Sequence, residues 1–314
     1  MALRFTLRQM EYLVAVGDCG SIALAASRLN VSSPTISTAI TKIEAEFGLP
    51  IFLRKHAQGM VATPAGQILI RDCAGVLQAA ARLSDLAHQL TGRVGGRLNL
   101  GCLLTFAQIL VPQLRRSFTG LFPEVSFAQF ELHQAALIEG LRDARLDVAL
   151  TYDLAIPSDL AFVPIAVLTP YVLVSPAHPL ARFDKLCVAD LCDFPMILLD
   201  LPLSSDYFLS FFNKTDFSPR IAERAKDMAV VQSLVANDFG YSIANIRPLS
   251  NRAPDGKPLR FIPLVGDVRP MQLGLLSGAG GDARKTLRAF STHCQQVIPG
   301  LLASTSSTKG HQDA

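Results

Sequence analysis

Apolar and polar positions alternate in blocks that predict the elements one after another. Leu7, Met10, Leu13 and Val14, continued by Gly17, follow helical spacing and predict a first helix over 7–16. Ser21 is placed to cap a second helix, Ile22 to Leu29, whose Ala23, Ala25 and Ala26 permit close backbone approach. After the short turn Asn30-Val31-Ser32, a third helix has both ends marked. Ser32 or Ser33 can cap it, Pro34 suits its first turn, and Gly48 suits its end. Ile36, Ile40, Ile43 and Phe47 make its apolar stripe, so Thr35, Thr38, Thr41 and Lys42 face away. Two short helices joined by so tight a turn predict a helix-turn-helix, whose second helix fits a DNA major groove.

Two apolar pieces around a polar turn, from Ile51 to Ala62, predict a β-wing with Arg54, Lys55 and His56 at its tip. Thr63-Pro64 then opens a long helix ending near Thr91 and Gly92. Along it Leu69, Cys73, Val76, Ala80, Leu83, Ala87 and Leu90 form a heptad seam, expected to join two chains rather than to be buried in one domain. Arg93-Val94-Gly95-Gly96 is a hinge. Beyond it, strand and helix patterns alternate, with strands expected around residues 98, 126, 148, 161, 171, 196, 220, 240, 259 and 272, as in an α/β domain whose ligand sites lie past strand C-termini. Residues 303–314 are small and polar, and are expected to be disordered.

Charge sharpens this division. Residues 1–93 hold nine Lys or Arg against six Asp or Glu, while the rest of the chain holds twenty of each, so the whole excess of +3 lies in the part expected to meet nucleic acid. The N-terminus lacks the pattern of a signal peptide, no stretch is apolar enough to span a membrane, and six scattered cysteines without a CxxC suit a reducing cytoplasm. Cys187 and Cys192 are the one candidate redox pair; no metal-ligand spacing or cofactor motif is present, and none is expected.

Several motifs together carry a family resemblance: Leu7-Arg8-Gln9-Met10-Glu11-Tyr12-Leu13, Gly20-Ser21, Ala25-Ala26-Ser27-Arg28-Leu29, Val31-Ser32-Ser33-Pro34, Ile43-Glu44, Phe52-Leu53-Arg54 and Thr63-Pro64-Ala65-Gly66. Leu100-Gly101, Asp147-Val148-Ala149, His178-Pro179-Leu180 and Gly240-Tyr241 extend it. From about Thr6 to about Leu301 the chain resembles the LysR-type transcriptional regulators. The resemblance implies a winged helix-turn-helix over 1–63, a dimerising linker helix over 64–92, and an effector domain over 93–302. That domain would be two-lobed, like a type 2 periplasmic binding protein, with one lobe from about 93–168 plus 270–302 and the other from 169–269. Expected DNA-contacting residues are Ser21, Ser33, Pro34, Thr35, Ser37, Thr38, Lys42, Arg54 and Lys55. Carrying the family's cleft positions over gives Leu103, Thr105, Gln134, Tyr152, Ser204 and Asn245 for the effector, with free helix N–H groups favouring a small anion.

The sequence departs from the family where relatives usually carry Gln at position 33 and Arg or Gln at 38 and 39; here Ser33, Thr38 and Ala39 stand there. Specificity should then lean on phosphate contacts and DNA shape. The expected partners are duplex DNA with an inverted repeat, a small metabolite, further copies of the chain as a dimer or tetramer, and RNA polymerase. Two other readings compete: a solute-binding protein, which the winged N-terminal part opposes, and an enzyme using the cleft, for which no nucleophile, metal or phosphate motif stands out.

Overall fold

The computed structural model describes residues 4–55, 59–90, 93–213, 215, 218–278 and 284–306. The chain divides into two compact units, the first running to Arg93 and including Arg142–Arg145, the second comprising the rest from Val94.

In the first unit α1 (Leu7–Cys19), α2 (Ile22–Leu29) and α3 (Ser33–Phe47) precede an antiparallel hairpin of β1 (Phe52–Lys55) and β2 (Gly59–Ala62), followed by α4 (Pro64–Leu90). Each helix start has its cap: Thr6 with Gln9 in a reciprocal capping box, Ser21 accepting from Leu24 N, Ser32 accepting from Thr35 N. Gly20, Asn30 and Gly48 end the three helices in the left-handed conformation. The core gathers Leu13, Val16, Ala25, Ile36, Ile40, Ile43 and Ile51. Gly66 is required by close approach, because a Cβ there would strike the carbonyl oxygen of Ile51. Leu7, counted above in the apolar stripe of α1, is 47% exposed, since Met10, Tyr12, Ala15 and Val16 supply the buried face.

α4 corrects the expected seam in part. Cys73 is buried, and Leu69, Ile70 and Leu77 pack beside it into the core of this same unit. The reason is that α1 needs cover along its length, and α4 supplies it. Val76 and Leu83 remain exposed at 45% and 69%, Ala80 is half-buried, and the side chains of Ala87 and Leu90 lie outside the described residues.

The second unit contains two lobes. The first has the five-stranded order β4-β3-β5-β12-β6, formed by β3 (Gly96–Cys102), β4 (Val125–Glu131), β5 (Val148–Tyr152), β6 (Leu160–Leu168) and β12 (Met271–Gly278). β3 runs parallel to β4 and β5, whereas β12 is antiparallel to β5 and β6. Its helices are α5 (Leu104–Ile109), α6 (Val111–Leu121), α7 (Gln134–Arg142) and α10 (Lys285–Ser306). α10 reaches Ser306, so the first residues of the stretch expected to be disordered are helical, and 307–314 lie outside the described residues.

The second lobe pairs β7 (Tyr171–Val174) with β10 (Ser242–Ala244) and β11 (Arg260–Pro263), and β8 (Pro195–Leu199) with β9 (Arg220–Ala225). A parallel bridge from Met196 to Tyr241 joins the two sheets. Gly240 makes it possible: at φ +147° it brings the backbone against the Pro195 carbonyl, where a Cβ would collide. α8 (Ser204–Ser210) and α9 (Met228–Ala236) complete the lobe. The chain crosses between lobes from Leu168 to Tyr171 and from Pro263 to Met271; Leu168 and Met271 are paired neighbours in the sheet.

Candidate functional sites

On α3 the outward face is short and hydroxylated. Ser33, Pro34, Thr35, Thr38, Thr41 and Lys42 are exposed and Ser37 is half-buried. Ser32 Oγ lies 2.8 Å from Thr35 Oγ1, and Thr41 Oγ1 donates to Ser37 O at 3.0 Å. Thr38 is exposed with no side-chain hydrogen bond among the described residues, while Ala39 is turned into the core. Ser21 Oγ accepts from Leu24 N at 3.4 Å as the cap of α2, which leaves its O–H proton to donate. Gln9 and Tyr12 of α1 flank Thr35, Thr38 and Lys42 across one shallow groove. Their place in this groove is not visible in the spacing of α1, which reports only its buried stripe. Glu44, on the same helix as the outward face, accepts from Ile51 N at 2.8 Å and Phe52 N at 3.1 Å and so ties the hairpin to α3. The side chains of Arg54 and Lys55, and all of His56, lie outside the described residues.

Within the second unit a cavity of about 580 Å3 opens between the lobes. It lies past the ends of β3, β4, β5, β8, β9 and β10, where free backbone groups and loop side chains converge. Leu103, Thr105, Tyr152, Ser204 and Asn245 line it, five of the six positions expected from sequence.

Gln134 is the exception. It is buried, its Nε2 donates to Leu154 O at 2.9 Å and Tyr152 O at 3.4 Å, and its Oε1 accepts from Thr151 Oγ1. Its amide thus ties the start of α7 to the end of β5 and the turn after it, and Gln134 does not line the cavity, which corrects its assignment to the effector. Glu131, His133, Lys226 and Asp227 line the cavity instead, and sequence reasoning missed them.

Tyr152 packs edge-on against Phe106, with centroids 4.8 Å apart, and burial pushes its phenol well above the ordinary value, so it stays protonated. Asn245 Nδ2 donates to Leu168 O at 3.1 Å and to the Tyr207 hydroxyl at 2.9 Å, while its Oδ1 is buried without a hydrogen-bond partner among the described residues. Tyr207, whose phenol burial pushes up to about 12, donates in turn to Arg269 O at 2.7 Å. The Arg269 guanidinium reaches Asp153 at 2.6 Å. One cavity side chain is thereby wired to both interlobe crossings, at Leu168 and at Arg269.

The anion expectation finds little charge to support it. The start of α9 is already capped by Asp227, whose carboxylate accepts from Ala229 N at 2.7 Å, and among the described residues the lining includes the carboxylates of Glu131 and Asp227 beside one lysine, Lys226. As for a redox pair, Cys187 and Cys192 cap opposite ends of the 3-10 turn Val188–Leu191. Five steps of ~2 Å set their Cα atoms about 10 Å apart, beyond disulfide reach unless that turn unwinds. Among the described residues no group of His, Cys, Asp or Glu is arranged to hold a metal, and no helix is long and apolar enough to cross a membrane.

A winged helix-turn-helix followed by a two-lobed α/β domain with a cavity between its lobes defines a DNA-binding transcriptional regulator governed by a small molecule. Residues 7–67 match the bacterial regulatory helix-turn-helix model of the lysR family, and residues 91–299 match the LysR substrate binding domain. The chain belongs to the LysR family of transcriptional regulators. It is 30% identical to the hydrogen peroxide-inducible genes activator of Haemophilus influenzae, over 94% of this chain and 99% of that protein. It is 27% identical to the transcriptional activator protein LysR of Escherichia coli, with 95% of each chain covered. Among solved structures it resembles HinK, a LysR family transcriptional regulator from Pseudomonas aeruginosa, at a TM-score of 0.62 and 29% identity, covering 94% of this chain and 99% of that one.

Proposed function

We propose that the cavity between the lobes is the effector site, with Leu103, Thr105, Tyr152, Ser204 and Asn245 in contact with a small metabolite, and that occupancy shifts the balance between lobe closures. The observation that carries this is the wiring of Asn245 to both crossings: a ligand touching it bears on Leu168 and, through Tyr207, on Arg269. A ligand that favours one closure over the other shifts the population by its difference in affinity.

On the DNA side, Ser33, Pro34, Thr35, Ser37, Thr38 and Lys42 enter the major groove, the N-terminal end of α2 at Ser21 meets backbone phosphate, and Arg54 and Lys55 extend the wing toward phosphate or minor groove. Dimerisation uses the apolar face of α4 from Val76 onward, where Val76 and Leu83 are uncovered in the single chain. Two dimers on one promoter would then add the effective concentration that short side chains on α3 do not supply. The protein works in the cytoplasm, turns over no substrate, and passes its signal to RNA polymerase through the bend it places on the promoter.

Selection of duplexes from a random pool by the full chain should return an inverted repeat with two half-sites. Recovery of no motif would refute sequence-specific recognition. Leu83→Glu should lower the sedimentation coefficient if α4 joins the copies; an unchanged value would place the dimer contact elsewhere.

A further inference from the structure

We infer that the effector presents a neutral hydrogen-bond donor, a hydroxyl or a carboxamide on an apolar body, to Asn245 Oδ1, and is not a simple carboxylate. The inference rests on the proposed reading of the interlobe cavity as the effector site.

It starts from the orientation of one amide. Oxygen and nitrogen of an asparagine side chain are interchangeable by a flip, so the assignment has to come from the neighbours. Leu168 offers Asn245 a carbonyl oxygen, which can only accept. Tyr207 could donate or accept, but its one proton goes to Arg269 O at 2.7 Å, so toward Asn245 it offers a lone pair. Both neighbours demand the NH2 group. Oδ1 is left as an acceptor without a partner on a residue only 6% exposed that lines the cavity.

A buried acceptor in that state is a standing cost, relieved by any ligand that brings an N–H or O–H to it. A carboxylate brings lone pairs instead and is repelled. Tyr152 lines the same cavity with a protonated phenol that has no hydrogen-bond partner among the described residues, so it can donate to an acceptor on the same ligand. A hydroxyl or a carboxamide carries both a donor for Asn245 and an acceptor for Tyr152, whereas an ammonium carries only the donor.

The remaining wall agrees. Leu103, Ile109, Leu199, Phe208, Ile246 and Met271 make most of it apolar, and among the described residues no arginine lines it and its carboxylates outnumber its single lysine. The volume of about 580 Å3 suits a molecule of metabolite size.

The test is a matched series on one body, 3-phenylpropanol, 3-phenylpropionamide and 3-phenylpropionate, titrated against the full-length protein by thermal shift and calorimetry. The alcohol or the amide should bind at least about tenfold more tightly than the carboxylate, the factor expected for satisfying rather than opposing a buried acceptor. That preference should disappear in Asn245→Leu, and all stabilisation should disappear in Thr105→Trp, which fills the cavity. A carboxylate that binds as well as the others, and is lost in Thr105→Trp, overturns the donor inference and leaves the cavity reading standing. Stabilisation that survives Thr105→Trp, or none from any member of the series, overturns both. The comparison in the parent protein decides the donor question even if Asn245→Leu does not fold.

Discussion

Replacing Glu44 by alanine should loosen the winged unit at the junction of recognition helix and hairpin. The Glu44 carboxylate holds two consecutive backbone donors, Ile51 N at 2.8 Å and Phe52 N at 3.1 Å. Ile51 is fully buried and Phe52 is 7% exposed, so neither amide gains a full hydration shell once the carboxylate is gone. An unsatisfied buried donor costs about 1–3 kcal/mol, and one face of Glu44 is open to water, so the pair should cost about 3 kcal/mol together. The Ile51 carbonyl is gripped independently by Thr63 N at 2.9 Å, so the chain cannot swing out to find new partners. The assay is unfolding of the full chain alongside hydrogen exchange at Ile51 and Phe52, where ~3 kcal/mol corresponds to roughly 150-fold faster exchange. Duplex binding should weaken in parallel as the hairpin loses its anchor on α3. Glu44→Gln keeps one acceptor oxygen and should recover most of the loss. A Glu44→Ala protein within about 0.5 kcal/mol of its parent, with both amides still protected, would refute the reasoning, since that is the range of ordinary surface changes.

Three further outcomes are expected. Gln134→Leu should destabilise the second unit by about 2–4 kcal/mol, because Tyr152 O, Leu154 O and the Thr151 hydroxyl all lose their partner, yet leave the affinity for a cavity ligand unchanged when measured by calorimetry. Burial lowers the pKa of His178 and His293 below the ordinary 6.5, so the unfolded chain takes up protons first; stability should fall as pH drops below 6.5 and level off under the native values, and His178→Gln with His293→Gln should flatten that slope in urea titrations. Lys42→Ala should weaken binding to all duplexes and reduce the salt slope by about 1, whereas Thr38→Ala should change which duplexes are selected and leave the salt slope alone.

Local chemistry decided a great deal of this protein before any folding was considered. Caps at Ser21 and Ser32, the helix end at Gly48 and the proline after Thr63 depend on a few neighbouring residues, so they are legible in order along the chain. The same holds for the strand and helix alternation beyond Arg93, whereas Leu103, Tyr152, Ser204 and Asn245 are assigned to one cavity by the resemblance to the family and not by local pattern. What the chain does with a face once it is formed is a different matter. The stripe from Leu69 through Cys73 has the period of an intermolecular seam, but an overlapping stripe of Ile70, Cys73 and Leu77 has equal right to be buried, and only the presence of α1 alongside makes that choice. Gln134 opens its helix where a ligand residue would stand, and the ends of β5 alone, seventeen and more residues away, consume its hydrogen bonds. Asn245 shows the converse: that its amide is left with an unpaired acceptor rather than a donor follows from Leu168, Tyr207 and Arg269, which are far apart in the chain. Hydrogen-bond satisfaction and shared cover are properties of neighbours in space, so a one-dimensional pattern can place a residue at a site without saying which of its atoms the site will leave free.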